Sequence, residues 1–291
     1  QALERAEEVV RKWNGAYDGR VRAWFQFRGI PNSTDRLISR MKELADPYRT
    51  GVQTHACFSK ETLESCKTQF GLTEIERLAR LGVLGPNLLL VHSGWVSPHE
   101  VQWMLDHDVK IVAAPSSSLH NGYGCILMGK LPEFLEMGLA VGLASDHASS
   151  GIVDLGQEML LVSGAYKEVR LNTSVLPPER VVEMATINGA RCALWEKEIG
   201  SLEVGKKADV TIFNARTPQW QPLYNPLSNL VYSATGASVD TVICDGRVLM
   251  EGRELKTVDE GGIFDEVGRL MPGILKKTGL AEKVRPKWPI L

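Results

Sequence analysis

Residues 87–114 read NLLLVHSGWVSPHEVQWMLDHDVKIVAA, and the order of the patterns within them sets the architecture of the chain. Two short apolar runs, 87–92 and 110–114, flank a segment with helical spacing that begins at Ser97-Pro98. Serine is a favoured N-cap, and proline suits the first helical position because an N–H there has no helical partner. The stretch therefore predicts a strand, a helix over 98–105 and a second strand, which is the repeating unit of a parallel sheet.

The same alternation continues on both sides of this stretch. Further strands are predicted at 21–27, 52–57 and 139–144, and helices at 35–44, 130–137 and 155–169. The strands are almost wholly apolar, as parallel strands buried on both faces are. Successive strand-helix units fit an α/β fold, either an open doubly wound sheet or part of an eight-stranded barrel. A nucleotide-binding sheet is disfavoured because no glycine-rich phosphate loop follows any of these strands.

The composition disfavours several classes of partner. The 291 residues include 33 basic and 35 acidic side chains, and the net charge of −2 gives no electrostatic reason to expect nucleic acid or a membrane surface. No apolar run reaches the ~20 residues of a membrane span. The 5 cysteines are scattered, which is typical of reduced thiols in a cytoplasmic protein. The chain opens without methionine inside an amphipathic helical pattern, so we expect that further residues precede it.

The pattern changes in the C-terminal third of the chain. A long helix is predicted over 177–194, and β-type segments follow at 208–213, 240–244 and 247–250. The last two segments are joined by Asp245-Gly246, a typical hairpin turn. Two or three strands are marginal alone, so these segments are expected to complete a sheet begun elsewhere.

Polar side chains lie where the predicted strands end. His55 lies near the end of the second strand, His92 ends the third, and Asp146 follows the fifth. Active sites of parallel α/β folds are built at the carboxyl ends of strands, so these three residues predict a metal or acid-base site. The alternative is three polar residues with separate hydrogen-bond partners. Neutral imidazole and carboxylate suit zinc or ferrous iron, and such an ion lowers the pKa of its water toward ~7.

At these residues the sequence resembles the metal-dependent amidohydrolase superfamily. It is most similar to the branch of cyclic-substrate deaminases and chlorohydrolases, which includes guanine deaminase, adenosylhomocysteine or methylthioadenosine deaminase and the triazine hydrolases. The run 199–209, IGSLEVGKKAD, is the most specific marker of the resemblance. The other markers are Thr54-His55, Phe70-Gly71, residues 89–92 (LLVH), 115–119 (PSSSL), 142–146 (GLASD) and 185–190 (ATINGA).

The resemblance implies a (β/α)8 TIM barrel whose strands four to eight are the five predicted here, followed by C-terminal strands of a small β-sandwich. It divides the chain into a C-terminal barrel portion (1–198), sandwich strands (199–255) and a C-terminal helix and tail (256–291). The first-strand His-x-His pair of the family is not found in this sequence, which agrees with the expectation that the first strands precede it.

The resemblance also assigns roles to the polar residues. His55 and Asp146 become ligands of one divalent metal, zinc or, as the alternative, iron. Asp146 is also the catalytic proton acceptor, and the catalytic His92 contacts water or substrate. The implied reaction is hydrolysis of a C–N bond, as deamination or amide or amidine hydrolysis, in a small cyclic or heteroaromatic substrate by metal-bound hydroxide.

Two positions depart from the branch. Phe58 stands three residues after His55, where the branch usually has a glutamate that shuttles a proton, and His147 stands where glycine is common. We therefore expect either that His147 or His92 takes over proton transfer or that the chemistry needs less of it. Glu61 is a weaker substitute because it lies beyond the strand end. The alternative is a non-catalytic or fragmentary relative that lacks the shuttle.

Recognition of a flat substrate ring is expected from aromatic residues after the strand ends. Trp95, His120 and Phe58 are the predicted substrate-binding residues, although aromatic residues at such positions often only pack. The predicted partner is a small molecule, with neither nucleic acid nor membrane. The resemblance also allows a homodimer.

Overall fold

A parallel five-stranded sheet forms the first part of the protein, in a computed structural model that describes residues 2–147, 151, 153–286 and 288. Its strands are β1 (Phe25–Gly29), β2 (Val52–Ala56), β3 (Leu88–His92), β4 (Lys110–Ala113) and β5 (Val141–Leu143). They pair in sequence order, and every neighbouring pair is parallel. A doubly wound sheet reverses its strand order at a switch point. The unreversed order of the described strands therefore excludes that alternative and fits a segment of a barrel.

Helices follow the strands, and the four predicted at 35–44, 98–105, 130–137 and 155–169 are among them. They are α1 (Ala2–Trp13), α2 (Asp35–Ala45), α3 (Lys60–Phe70), α4 (Glu74–Arg80), α5 (Pro98–Asp106), α6 (Pro115–Asn121), α7 (Leu131–Glu136) and α8 (Leu155–Arg170). The predicted start of α5 is confirmed, because the Ser97 side chain accepts a hydrogen bond from the Glu100 N–H and the Glu100 carboxylate accepts one from the Ser97 N–H. This reciprocal capping fixes where the chain turns from β3 into the helix.

The single helix predicted over 177–194 is wrong. The structure has α9 (Pro178–Ala185) and α10 (Ile187–Cys192), separated at Thr186, whose φ of −124° and ψ of −98° are not helical. The break turns α10 onto β5, where a Cβ added to Gly142 would lie 3.2 Å from the Cα of Gly189. This close packing is a tertiary interaction, so the helical spacing of the sequence does not reveal it.

An antiparallel sheet follows, with strands β6 (Val210–Phe213), β7 (Val239–Cys244), β8 (Arg247–Glu251) and β9 (Glu254–Leu255) in that order. The predicted turn at Asp245-Gly246 is confirmed, and both residues have the positive φ that a type I′ hairpin needs, 50° and 74°. Two further helices are α11 (Pro226–Tyr232) and α12 (Glu260–Thr278).

The core lies between the parallel sheet and its helices, and it includes Phe25, Leu90, Ile111 and Val141. All five cysteines are free thiols. Among the described residues, no helix combines the length and the apolar character that a bilayer crossing requires.

Candidate metal and catalytic site

Three strand ends bring His55, His92 and Asp146 together. One ligand atom from each of these residues lies within 4.8 Å of the others. His55 Nε2 is 3.1 Å from Asp146 Oδ1, and His92 Nε2 is 3.3 Å from Asp146 Oδ2. The two imidazoles thus face opposite oxygens of one carboxylate, as expected for residues from neighbouring parallel strands that end at one edge of the sheet.

The hydrogen bonds of His55 indicate that a cation belongs in this cluster. His55 Nδ1 lies 3.1 Å from the main-chain oxygen of Arg28, and a carbonyl oxygen can only accept a hydrogen bond. The proton of a neutral His55 therefore sits on Nδ1, and Nε2 directs a lone pair at the Asp146 carboxylate. Two acceptors 3.1 Å apart are unfavourable unless positive charge lies between them or the ring is protonated. This donor set, with the imidazole fixed through its other nitrogen, suits a divalent metal ion.

The backbone is strained at the same strand ends. Cys57, His92, Ser93 and Asp146 have φ values of 50°, 82°, 51° and 57°. Non-glycine residues adopt this left-handed region at a cost, and they do so mainly where surrounding contacts hold a functional side chain in place. The conformation aims the side chains of His92 and Asp146 at each other.

Asp146 is ionised in this environment. Burial alone would raise the pKa of Asp146, but the contacts with the His55 and His92 rings and the hydrogen bond from Ser117 outweigh burial and hold the pKa well below its ordinary value. The carboxylate is therefore available as a metal ligand and as a proton acceptor at neutral pH.

A cavity of about 290 Å³ opens in front of the cluster. Phe58 and Tyr123 form an aromatic wall of this cavity, with ring centroids 5.0 Å apart, and each ring lies 5.7 Å from the His92 ring. The remaining lining residues are Arg28, Gly29, Pro31, Asn32, Glu61, Thr62 and Ser65. The cavity therefore places polar groups that could act on a substrate next to a flat apolar surface.

The structure does not bring the other predicted site residues to this cavity. The Trp95 indole N–H donates to the main-chain oxygen of Tyr123 at 2.8 Å, and its ring lines a separate depression beside Lys67. His120 is exposed, with its ring centroid 6.0 Å from that of His147. Neither imidazole is among the described residues that line the cavity. The roles given to Trp95, His120 and His147 stay predictions.

Sequence reasoning missed Ser117, whose hydroxyl donates to Asp146 Oδ2 at 3.0 Å. A signal was present, because Ser117 lies just after β4, at the same edge of the sheet as His92. A run of three serines gives no indication of which one faces the site.

A buried carboxyl supports the turn that follows His55. Glu74 is fully buried, and its carboxylate accepts hydrogen bonds from the Cys57 N–H at 2.8 Å and the Thr62 hydroxyl at 3.3 Å. Burial raises the pKa of Glu74 from 4.5 to about 7. Because the folded protein holds this proton more tightly than the unfolded chain, the stabilisation is complete below about pH 4.5 and is lost as pH rises through about 7.

We expect Glu74→Gln to flatten this pH dependence. The free energy of unfolding of the parent protein should fall relative to that of the variant between pH 5 and pH 8, by up to about 3 kcal/mol. Denaturant titrations at both pH values measure the difference, and Glu64→Gln, an exposed change on α3, is the matched control. An equal change in the free energy of unfolding between pH 5 and pH 8 in the parent protein and in Glu74→Gln would show that Glu74 does not titrate in this range.

The family model for the "Amidohydrolase family" matches residues 1–249. The chain belongs to the amidohydrolase family. The resemblance seen in the sequence motifs is thereby confirmed.

Curated relatives lie in the deaminase branch. This chain is 34% identical over 258 residues to a 5'-deoxyadenosine deaminase of Methanobrevibacter smithii, covering 88% of this chain and 59% of the relative. It is 35% identical over 237 residues to a 5-methylthioadenosine/S-adenosylhomocysteine deaminase of Aquifex aeolicus, covering 81% of this chain and 54% of the relative. The chain thus spans little more than half the length of these two relatives.

Solved structures confirm the fold of this amidohydrolase chain. An adenosine deaminase from Xanthomonas campestris, solved with bound zinc, matches with a TM-score of 0.89 and 25% identity over 94% of this chain and 62% of that one. The atrazine chlorohydrolase of Arthrobacter aurescens, solved with zinc, matches with a TM-score of 0.84 and 22% identity, over 93% of this chain and 59% of that one. This match shows a similarity of fold alone. The predicted (β/α)8 barrel is confirmed by these structures.

Proposed function

We propose that the protein is a metal-dependent hydrolase that removes an amino group from a small heteroaromatic ring. The observation that carries this proposal is the meeting of His55, His92 and Asp146 beside an aromatic-walled cavity. The deaminases among the relatives support the reaction class. The cavity volume of about 290 Å³ is at the lower end of the range for small-molecule sites, which favours a nucleobase or a small nucleoside.

Zinc is the metal that the residues fit best, with iron as the alternative. His55 and Asp146 would hold it, and the lone pair of His55 Nε2 already points at the carboxylate. Two zinc-bound structural neighbours support the choice. The metal, when bound, makes a water molecule acidic enough to attack the substrate near neutral pH.

Asp146 and His92 handle the protons of the attack. Oxygen of water adds to the ring carbon that carries the amino group, and Asp146 accepts the proton that this water loses. The buried His92 Nδ1 has no hydrogen-bond partner among the described residues, so the His92 proton can reside on Nε2, next to Asp146 Oδ2. From there His92 can donate to negative charge that develops on the ring. The C–N bond then breaks, the proton that Asp146 took from water leaves with the amino group as ammonia, and the second proton of the water ends on the ring nitrogen while the ring keeps the oxygen as a carbonyl.

The proton for ammonia must come from a group other than residue 58, because Phe58 cannot carry one. We propose that His92 relays to the amino group the proton that Asp146 took from water, since His92 Nε2 lies 3.3 Å from Asp146 Oδ2. Glu61 is a second carrier within reach of the cavity. Hydrogen bonds from its own N–H and from Ser59 lower the pKa of Glu61, so this carboxylate is ionised and could pass a proton on only after taking one from water.

A substrate panel tests the proposal. The purified protein, loaded with zinc, is given 5'-deoxyadenosine, 5-methylthioadenosine, S-adenosylhomocysteine, adenosine, guanine and atrazine, and released ammonia and chloride are measured. We expect ammonia from at least one aminated ring, about one zinc ion per chain by mass spectrometry, and loss of activity with a chelator that zinc restores.

Other outcomes would change the assignment. Chloride without ammonia would indicate a chlorohydrolase. Failure to retain zinc, together with the absence of turnover across the panel, would favour the non-catalytic alternative.

A further inference from the structure

Ser117 connects helix α6, which follows β4, to the candidate catalytic carboxylate. Its hydroxyl donates to Asp146 Oδ2 at 3.0 Å, and Ser117 is buried, with an exposed fraction of 2%. We propose that Ser117 is a positioning residue that fixes the rotation of the Asp146 carboxylate, so that one oxygen faces the metal site and the other faces His92. The proposal deepens the proposed function and rests on it, because it concerns the same site.

The two oxygens of Asp146 have different neighbours. Oδ1 faces His55 Nε2, the predicted metal-ligand side of the cluster, at 3.1 Å. Oδ2 faces His92 Nε2 at 3.3 Å and also accepts the Ser117 hydroxyl. The energy profile for rotating a carboxylate about χ2 is broad and roughly two-fold. Repulsion between lone pairs alone therefore does not hold the carboxylate in one orientation. A donor on one oxygen does hold it, and on the Oδ2 side Ser117 supplies such a donor beside the His92 Nε2–H.

The backbone of Asp146 makes such support necessary. With φ of 57°, Asp146 lies in a region that a non-glycine residue occupies only when its surroundings determine it. The preceding residue also lies against α6, with the main-chain oxygen of Ser145 3.4 Å from the Ser116 hydroxyl. Ser117 therefore holds the side chain of Asp146, and Ser116 contacts the chain just before it.

A buried glutamate holds the start of α6 in place. Glu158 on α8 is fully buried, and its carboxylate accepts hydrogen bonds from the N–H of Ser116 at 3.0 Å and from the Ser116 hydroxyl. Asn121 contributes from the other side, since its amide donates to the main-chain oxygen of Ser117 at 3.0 Å. The position of the Ser117 hydroxyl is therefore set by the attachment of α6 to α8 through Glu158 and by the Asn121 amide within α6, as expected for groups that orient a metal ligand.

The neighbouring residue, Ser118, makes a different hydrogen bond and therefore provides a matched control. The Ser118 hydroxyl accepts a hydrogen bond from the Cys125 N–H at 3.2 Å, and no described contact joins it to Asp146. Ser118 is as buried as Ser117, at 4% exposure. Loss of either hydroxyl removes one buried hydrogen bond, but only the loss at position 117 should reach the metal site.

The test measures zinc affinity as well as turnover in Ser117→Ala, Ser117→Thr and Ser118→Ala. Zinc affinity is obtained by competition with a chromophoric chelator, and kcat and KM come from the best substrate of the panel. We expect Ser117→Ala to weaken zinc binding by about 10-fold to 100-fold and to lower kcat with little change in KM. Ser117→Thr, which keeps a hydroxyl, should recover most of both quantities, and Ser118→Ala should match the parent protein in zinc affinity.

Equal zinc affinity and kcat in Ser117→Ala and the parent protein would overturn the proposal. So would equal losses of zinc affinity in Ser117→Ala and Ser118→Ala, because a general packing defect would then explain both. If Ser117→Thr does not fold, as judged by its thermal unfolding, the comparison of the two alanine variants still decides. The zinc measurement needs no substrate, so it separates this proposal from failure of the proposed function.

Discussion

Asp146→Asn is expected to lower kcat by about a thousandfold and to weaken zinc binding, because the change removes the charge and the proton-accepting oxygen at once. Asparagine keeps the size of the side chain and tolerates the left-handed backbone of position 146, where φ is 57°. Its amide would direct N–H groups at one of the two imidazoles and cannot accept a proton from water. Steady-state kinetics and the zinc content of the purified variant measure the two effects.

The matched control for this prediction is Asp108→Asn. Asp108 also has positive φ, 52°, but it lies before β4, at the opposite end of the strand from the cluster, and pairs with Lys110. The same chemical change there should leave kcat and zinc content close to those of the parent protein. An Asp146→Asn protein that kept a tenth or more of the parent kcat would contradict the role given to Asp146.

Arg77→Met is expected to destabilise the fold by about 3 kcal/mol, the largest stability effect that we predict. Arg77 is 2% exposed and donates to the main-chain oxygens of Ile30 and Ser33, each at 2.6 Å. Its guanidinium also lies over the Phe70 ring at 3.5 Å and pairs with Asp35. Because Asp35 is well exposed, most of the loss comes from the two buried carbonyl groups that would lose their charged donor, although the Ile30 oxygen would keep the Ser33 N–H.

Arg77→Met should affect substrate binding at the site as well as the stability of the fold. Arg77 holds the loop that carries Pro31 and Asn32, which line the cavity. We therefore expect KM to rise at temperatures where the variant is still folded. Denaturant unfolding measures the stability, with Arg80→Met, an exposed change on the same helix, as the control. A loss of stability no greater than that of Arg80→Met would show that these buried contacts contribute little.

Much of the fold could be predicted because its signals are local. Helix α5 begins at a serine cap followed by proline, and β7 joins β8 through an Asp-Gly turn, so neighbouring residues alone specify these boundaries. The break at Thr186 could not be predicted in this way, because it depends on the contact between α10 and β5.

Whether the protein is a homodimer and whether it is cytoplasmic remain predictions.

The sequence by itself determined that His55, His92 and Asp146 lie at the carboxyl ends of buried parallel strands, because apolar runs and their periodicity mark where strands end. Only the tertiary structure decided which aromatic residues reach the cavity. Phe58 and Tyr123 line it, whereas Trp95 turns away to donate to the Tyr123 carbonyl. The same holds for Ser117, whose hydroxyl meets Asp146 although 29 positions separate them along the chain. The physical reason is that strand position depends on local patterning, while the direction of a side chain after a strand depends on loop conformation and on partners distant in sequence.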